Sequence, residues 1–539
     1  MRRKTNSFHL DIRSGRKSPY GLLRNSYRED GKIKKETICN IKGLSLEELQ
    51  MMRAAIQGNT MLKDDFKIIG SREYGASFVT LALLKELGLH TDIFSRSSEE
   101  WVKSALAMIV GRLVFAGSKL SLSHCVPYSA LWEICGINGD IDVNVHCYKA
   151  MDMLLDRQDA VQEKLAARHL NSGSLILYDI TSSYMEGEYE DSEIVEFGYN
   201  RDKKRGHEQI VIGLLCNNEG CPVGVEVFAG NTKDETTVLD KTDEIQKKFG
   251  LEKIIFVGDR GMVTASKYEK LDHGLVKVVS ALTHGGIESL RQKGMVQMSM
   301  FDENNIVEVI DGDKRYCLCK NPDMAKKEAA TRQILLEKTT EKLDIIIKST
   351  RKCKNSKAIR AGKVVGKYKV GKFIIFEKED EDENKLTYKL DQAKIENEAQ
   401  LDGCYIIFTD ASQEDMTAAE TVANYKKLIK VEQAFRNIKT VRLEIRPVYH
   451  KTDNRIKCHV FVCMLAYYVM WHINQRLKPF FEEDGVGRKR KYTFDYVMET
   501  LKSIRIQDVE ICGVKSEVIS TPTDEQSKIL KLLGSKPLQ

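Results

Sequence analysis

The sequence predicts an α/β protein. Its core has the order β-β-β-α-β followed by late helices, is interrupted by an insertion domain, and is preceded by a small β segment and a helical domain. Three observations predict this. Apolar residues recur at helical spacing from Glu73 to Leu170, and that pattern ends before Ser174. Short apolar runs bounded by turn residues take its place. Two of these runs, "LILY" from Leu175 and "IIFV" from Ile254, lead into an aspartate, the second with Gly258 between.

The elements follow in chain order. Residues 1–64 form a small β-rich segment, with Asp30-Gly31 as a tight hairpin turn. Residues 65–170 form a helical domain, carried by runs such as "VTLALLKELG" and "WVKSALAMIVGRLVFAG". Residues 171–285 hold the first part of the core. Strand "SLILYDI" stops at Asp179; "HEQIVIGLLC" and "PVGVEVFAG" form a hairpin about Asn217-Asn218-Glu219-Gly220; "KDETTVLDKTDEIQKKFG" is an amphipathic helix; "KIIFVGD" ends at Asp259. Residues 286–400 are the insertion, with a hairpin "IVEVIDGDKRYCLCKN" and a long helix after it. Residues 401–475 complete the core with strand "GCYIIFTD", a long helical region through Thr440 and an apolar helix from His459 read as core; residues 476–539 are a C-terminal region.

Composition narrows the function classes. The chain has 539 residues, 42% hydrophobic and 30% charged, so it buries a sizeable core and is not disordered. No apolar run reaches the length of a membrane span, and no apolar stretch follows the basic N-terminus, so a cytoplasmic protein without a membrane partner is expected. The formal charge of +6 permits nucleic-acid binding without demanding it. Thirteen cysteines are scattered with no C-x-x-C pair, which argues for reduced core thiols over a zinc site. G-x-S-x-G is absent, and "GNTKDET" lacks the Gly-Lys pair of a P-loop. His207 and His450 read as structural.

Asp179 and Asp259 would stand side by side if their strands were parallel neighbours. Each alone reads as a strand-ending or capping residue. Together they would repel, and a hard cation such as Mg²⁺ or Mn²⁺ would relieve that repulsion through oxygen ligands. The third acid comes from "YKKLIKVEQAFRNIKT". On a continuous helix Tyr425, Glu432, Arg436 and Lys439 share one polar stripe beside the apolar Leu428, Val431, Phe435 and Ile438. A surface Glu432–Arg436 ion pair explains two residues of the stripe and leaves Tyr425 and Lys439 unexplained. Three carboxylates holding two Mg²⁺ ions suit in-line displacement at phosphorus, with Tyr425, Arg436 and Lys439 holding phosphate oxygens of DNA.

These residues carry a resemblance. The strand order with its acids resembles the RNase H-like fold. The text is similar to insertion-sequence DDE transposases of the group marked by a Y-(2)-R-(3)-E-(6)-K signature. Tyr425, Glu432 and Lys439 match it; its Arg falls at Leu428 here. "YDITSSYMEG", "EVFAGNTKDETT", "VGDRGM", "RPVYH" from Arg446 and "RIKCHVFVCMLA" from Arg455 also look like the group.

The resemblance implies a bacterial cut-and-paste transposase that hydrolyses element ends and transfers the 3′-hydroxyl to target DNA. Asp179, Asp259 and Glu432 would be its catalytic metal ligands, a homodimer its synaptic form, and the helical domain its reader of the ends. It also implies the insertion between Asp259 and Glu432, which in some relatives assists a hairpin route. Arg260 either contacts phosphate or pairs with a carboxylate. Lys348 to Lys372 hold ten Lys or Arg and no acid, so Lys348, Arg351, Lys352 and Lys354 are DNA-contact candidates. A solvated loop balanced by the acids at 377–383 is the competing reading. "RKRK" at 488–491 is a weaker basic patch. Two other functions fit the same residues: a metal-dependent nuclease that does not join DNA, and a non-catalytic DNA-binding relative.

Overall fold

The structure is a computed structural model. It describes residues 7–14, 18–29, 32–57, 66–199, 201, 204, 206–232, 253–260, 262, 268–269, 276–301, 306–349, 356–378, 386–446, 448–482, 492–511 and 514–535. The chain divides into two compact units. Leu165–Tyr184 and Ile194–Phe435 form a sheet unit; Met1–Lys164, Met185–Glu193 and Arg436–Gln539 form a helical unit.

Among the described residues, the sheet unit holds one mixed sheet of eight strands. They are β1 (Ser174–Tyr184), β2 (Gln209–Asn217), β3 (Pro222–Ala229), β4 (Ile254–Gly258), β5 (Val276–Ala281), β6 (Val307–Asp311), β7 (Lys314–Lys320) and β8 (Cys404–Thr409). The spatial order is β6-β7-β8-β5-β4-β1-β2-β3. β4 runs parallel to both β1 and β5, and every other neighbouring pair is antiparallel. β1 is central and buried on both faces, which is why its sequence is nearly continuous in apolar residues. Ile176, Tyr178, Phe256, Val278, Leu318 and Ile406 from five of the strands meet in one core. Each such side chain contributes about 1.5–3 kcal/mol on full burial.

β1 does not stop at Asp179, as its sequence suggested. It runs on to Tyr184 because β2 continues to pair with it, up to Tyr184 against Gln209, after its pairing with β4 has ended at Tyr178 against Gly258. The hairpin at 217–220 forms as its residues dictate. Gly220 takes φ +83°, and the Asn217 side-chain oxygen accepts the N–H groups of Glu219 and Cys221. β5 had no counterpart in the sequence reading. The helix expected at 233–250 lies outside the described residues. So does the Asp30-Gly31 turn, although Tyr20–Glu29 and Lys32–Ile41 pair on either side of it.

Within 286–400, the hairpin β6–β7 joins the edge of the main sheet through β8. The remainder builds a core of its own: Leu336 and Leu343 on α1 (Pro322–Lys348) pack with Ala361, Phe373, Ile374 and Leu386. Arg332 on α1 makes a two-pronged bond to Asp402, at 2.7 and 2.5 Å, beside β8.

The helical region after β8 is not one helix. α2 (Ala418–Lys426) starts at a capping box between Thr417 and Glu420; α3 (Ile429–Arg436) follows a break at Lys427–Leu428; Asn437–Val441 is a π-helical turn. The expected apolar stripe is nevertheless buried at Leu428, Val431, Phe435 and Ile438.

In the helical unit, Ser7–Arg13, Tyr20–Glu29 and Lys32–Ile41 form an antiparallel sheet. Phe66–Glu73 pairs with Arg505–Ile511 from the far end of the chain. Helix Asp453–Arg476 is long and apolar enough to cross a membrane, yet 83% of its apolar window is buried, and it packs on helices Glu100–Val114 and Ala150–Leu155.

Candidate active site

Parallel pairing brings the two aspartates together. Tyr178 and Gly258 are the last partners of β1 and β4. One step further along this register stand Asp179 and Asp259. The place of strand order here is simple: β1 and β4 are adjacent, so two positions 80 residues apart share one sheet edge. Glu432 arrives from α3, whose buried face is Val431, Ala434 and Phe435 and whose exposed side carries Glu432. Lys430 ties this helix to the β2–β3 turn, with its Nζ 2.9 Å from the Asn218 carbonyl and 3.3 Å from Glu219.

Asp179, Asp259 and Glu432 line one cavity of about 280 Å³, together with Arg201 and Phe435. Burial pushes the Asp179 carboxyl up to about 7; the Ile180 N–H opposes this, Asp259 and Glu432 add to it, and Arg201 opposes it. Asp179 Oδ1 accepts the Ile180 N–H at 2.8 Å. Asp259 Oδ1 accepts the Arg260 N–H at 2.6 Å and the Tyr425 hydroxyl at 3.2 Å. Burial, and then the Asp259 charge, make the Tyr425 hydroxyl much less acidic than an ordinary tyrosine, so it stays a donor. Asp259 and Glu432 also border a neighbouring cavity of about 370 Å³, which Arg260, Tyr425, Leu428 and Glu328 of α1 help to line.

The donor set fits a hard divalent cation. It is all oxygen, it concentrates negative charge, and burial together with the neighbouring acids raises the pKa of its most buried member, Asp179. A bound cation would reverse that last effect.

The other predicted residues are placed as follows. Tyr425 and Arg260 lie beside Asp259. Arg436 is exposed at the end of α3, and Lys439 is buried in the π-helical turn; both belong to the helical unit. Leu428, where the signature has an arginine, is buried in the break between α2 and α3. Lys348 ends α1 and is exposed, while Arg351, Lys352 and Lys354 lie outside the described residues, as do 379–385 and 488–491. Arg201 was missed. Its backbone N–H donates to Ser182 Oγ at 2.9 Å, which draws the β1–β2 connection toward the carboxylates. The signal available was the basic run "RDKKR" at 201–205, between the first aspartate's strand and the next one.

A large mixed α/β sheet is the kind of core found in the DDE transposase class, which acts on DNA and uses divalent metal ions. A family model described as the transposase DDE domain matches residues 171–469, more than half of the chain, and the chain belongs to that family. Among solved structures, the cryo-EM structure of a piggyBac transposase synaptic complex with hairpin DNA is similar at 8% identity, over 80% of this chain and 81% of that one, with a TM-score of 0.36. No curated protein matches the chain significantly.

Proposed function

We propose that this chain is the transposase of a bacterial insertion sequence, one that cuts the ends of its element and joins the freed 3′-hydroxyls to target DNA. Asp179, Asp259 and Glu432 are its catalytic triad and metal ligands, with Mg²⁺ as the ion and Mn²⁺ as a substitute. The observation that carries this reading is the shared cavity: three acids from β1, the end of β4 and α3 line it together. An RNase H-like core is supported by the strand order β3-β2-β1-β4-β5, with β2 antiparallel and β4 and β5 parallel to β1.

Bound divalent ions supply Lewis-acid activation of the attacking hydroxyl and charge neutralisation at the leaving oxygen. The chain's residues do the rest. Tyr425 and the Arg260 N–H both donate to Oδ1 of Asp259 and fix that carboxylate, which would hold an ion together with Asp179 and Glu432. Arg201 offsets part of the negative charge of the acids. Arg260, Arg436 and Lys439 hold backbone phosphates of the DNA, and Tyr425, whose single hydroxyl proton goes to Asp259, positions that carboxylate beside them. Lys348, Arg351, Lys352 and Lys354 extend the DNA contact into the 286–400 insertion. The protein works in the cytoplasm, as a homodimer that pairs two element ends.

The test uses DNA carrying the inverted repeats that flank the gene. With Mg²⁺ the protein should nick at the repeat ends and join a pre-cleaved end to target DNA; Glu432→Gln should retain end binding and lose both reactions. Cleavage without joining would reduce the reading to a nuclease. Full activity in Glu432→Gln would remove the triad.

A further inference from the structure

The helical unit contains a cavity that plays no part in the chemistry above. It encloses about 480 Å³ and is lined by Arg112, Lys119, Arg446, His450 and His459, with Tyr148 and Glu444. Two sequence motifs left without a role meet in it: Arg446 and His450 belong to "RPVYH", and His459 to "RIKCHVFVCMLA".

Its charge is one-sided. Lys119 is 4% exposed and Arg112 5%. His459 Nε2 lies 3.0 Å from the Ile445 carbonyl, which can only accept, so that nitrogen carries the ring proton. Nδ1 is then an acceptor, and the Lys119 ammonium donates to it at 3.2 Å. Arg112 donates to the carbonyls of Leu443 and Glu444 at 3.3 and 3.5 Å. These partners are all neutral. The charged or titratable neighbours of Lys119 are Arg112, His450, His459 and three buried thiols, and it forms no ion pair among the described residues. Glu444 is the one acid lining the cavity among the described residues, and its side chain is exposed.

Buried cations without a counter-charge are costly and persist where something supplies the missing charge. The backbone adds a second sign. Ala116 and Glu444, both on the cavity wall, hold φ +42°, a left-handed conformation that non-glycine residues adopt mainly where surrounding structure enforces it.

We propose that this cavity is an oxyanion site that takes a phosphoryl group, with Lys119, Arg112 and Arg446 supplying the charge. The volume leaves room for the sugar of a phosphate ester beside the phosphate, so the group arrives either on a DNA backbone or on a free phosphate ester. Neutral His459 accepts a hydrogen bond from Lys119 and holds it in place without cancelling its charge. This inference does not depend on the carboxylate triad, and its failure leaves that reading untouched.

The experiment titrates the full chain with inorganic phosphate by calorimetry, at ionic strength held constant with chloride. Saturable binding is expected, at least tenfold weaker in Lys119→Met and in Arg446→Gln. Without phosphate, Lys119→Met should melt no lower than the parent, because a buried uncompensated cation has been removed. Fluorescence anisotropy with a duplex then separates the sources. If phosphate displaces the duplex and Lys119→Met weakens duplex binding, the natural ligand is a backbone phosphate; if duplex binding is unaffected, it is a free ester. Heats no larger than those of chloride, or equal phosphate binding in the parent and both variants, would overturn the proposal.

Discussion

The Tyr425 hydroxyl donates to Oδ1 of Asp259 at 3.2 Å, across 166 positions of chain. It shares that oxygen with the Arg260 N–H, so one side of the carboxylate is fixed from both the strand end and α2. Tyr425→Phe removes only the hydroxyl. A hydrogen bond to a charged group contributes about 1.5–3 kcal/mol net, so the cleavage rate should fall by roughly ten- to a hundredfold while duplex affinity changes little. An unchanged rate would mean that the bond positions nothing.

The acid cavity predicts opposite responses with and without cations. In metal-free buffer near neutral pH, Asp179→Asn should raise stability by about 1–3 kcal/mol, because it removes a buried carboxyl that its neighbours repel. Mg²⁺ should stabilise the parent by about 2.7 kcal/mol at a hundredfold excess over its dissociation constant, and should leave Asp179→Asn nearly unmoved. Thermal melts with and without Mg²⁺ read both effects. Equal Mg²⁺ responses in the two proteins would argue against a metal site.

Acid should weaken the helical unit through its histidines. Burial first, and then Lys119 and other nearby cations, lower His450 to about 3 and His459 well below its ordinary value. Above pH 6.5 both are neutral in the folded and unfolded chain. Below 6.5 the unfolded chain takes up protons that the folded chain refuses. Stability therefore falls with decreasing pH, by about 1.4 kcal/mol per pH unit for each histidine, until the folded value is reached. Urea unfolding between pH 6 and 4 should show this slope, and His450→Gln should flatten it by close to one proton. A slope identical in the variant would contradict the assignment.

Gly403 joins 401–402 to β8 with φ +70°. Its N–H donates to Glu328 at 2.8 Å and its carbonyl accepts the Asn321 N–H at 2.8 Å, both at the start of α1. A Cβ here would collide with the Asn321 carbonyl. Gly403→Ala should cost about 1–3 kcal/mol, from the left-handed backbone and the displaced α1 together. Chemical denaturation measures it; a loss under about 0.5 kcal/mol would mean that the turn relaxes freely.

Much of the sheet unit was legible because its signals are local. "LILY", "IIFV" and "YIIF" are too short and too apolar for surface helices, and the Asn217–Gly220 turn declares its hairpin through residues that favour that backbone. The buried stripe of Leu428, Val431, Phe435 and Ile438 followed from spacing alone. β5 was missed because "VKVVSA" is six residues long and lacks either period, and a run of that kind is decided by the partners that flank it. The length of β1 beyond Asp179 was missed for a related reason: β2 sustains it after β4 has stopped.

By itself, the sequence determined that three acids sit beside apolar segments, that one of them rides the edge of a helix, and that strands alternate with helices around them. Only the tertiary structure decided that β4 lies parallel and adjacent to β1, that the helix breaks at Leu428, and that Arg201 reaches the same cavity. The physical reason is range. Turn chemistry and hydrophobic period act over a few residues, whereas strand neighbours are chosen by backbone hydrogen bonds and core packing between segments that the chain keeps far apart.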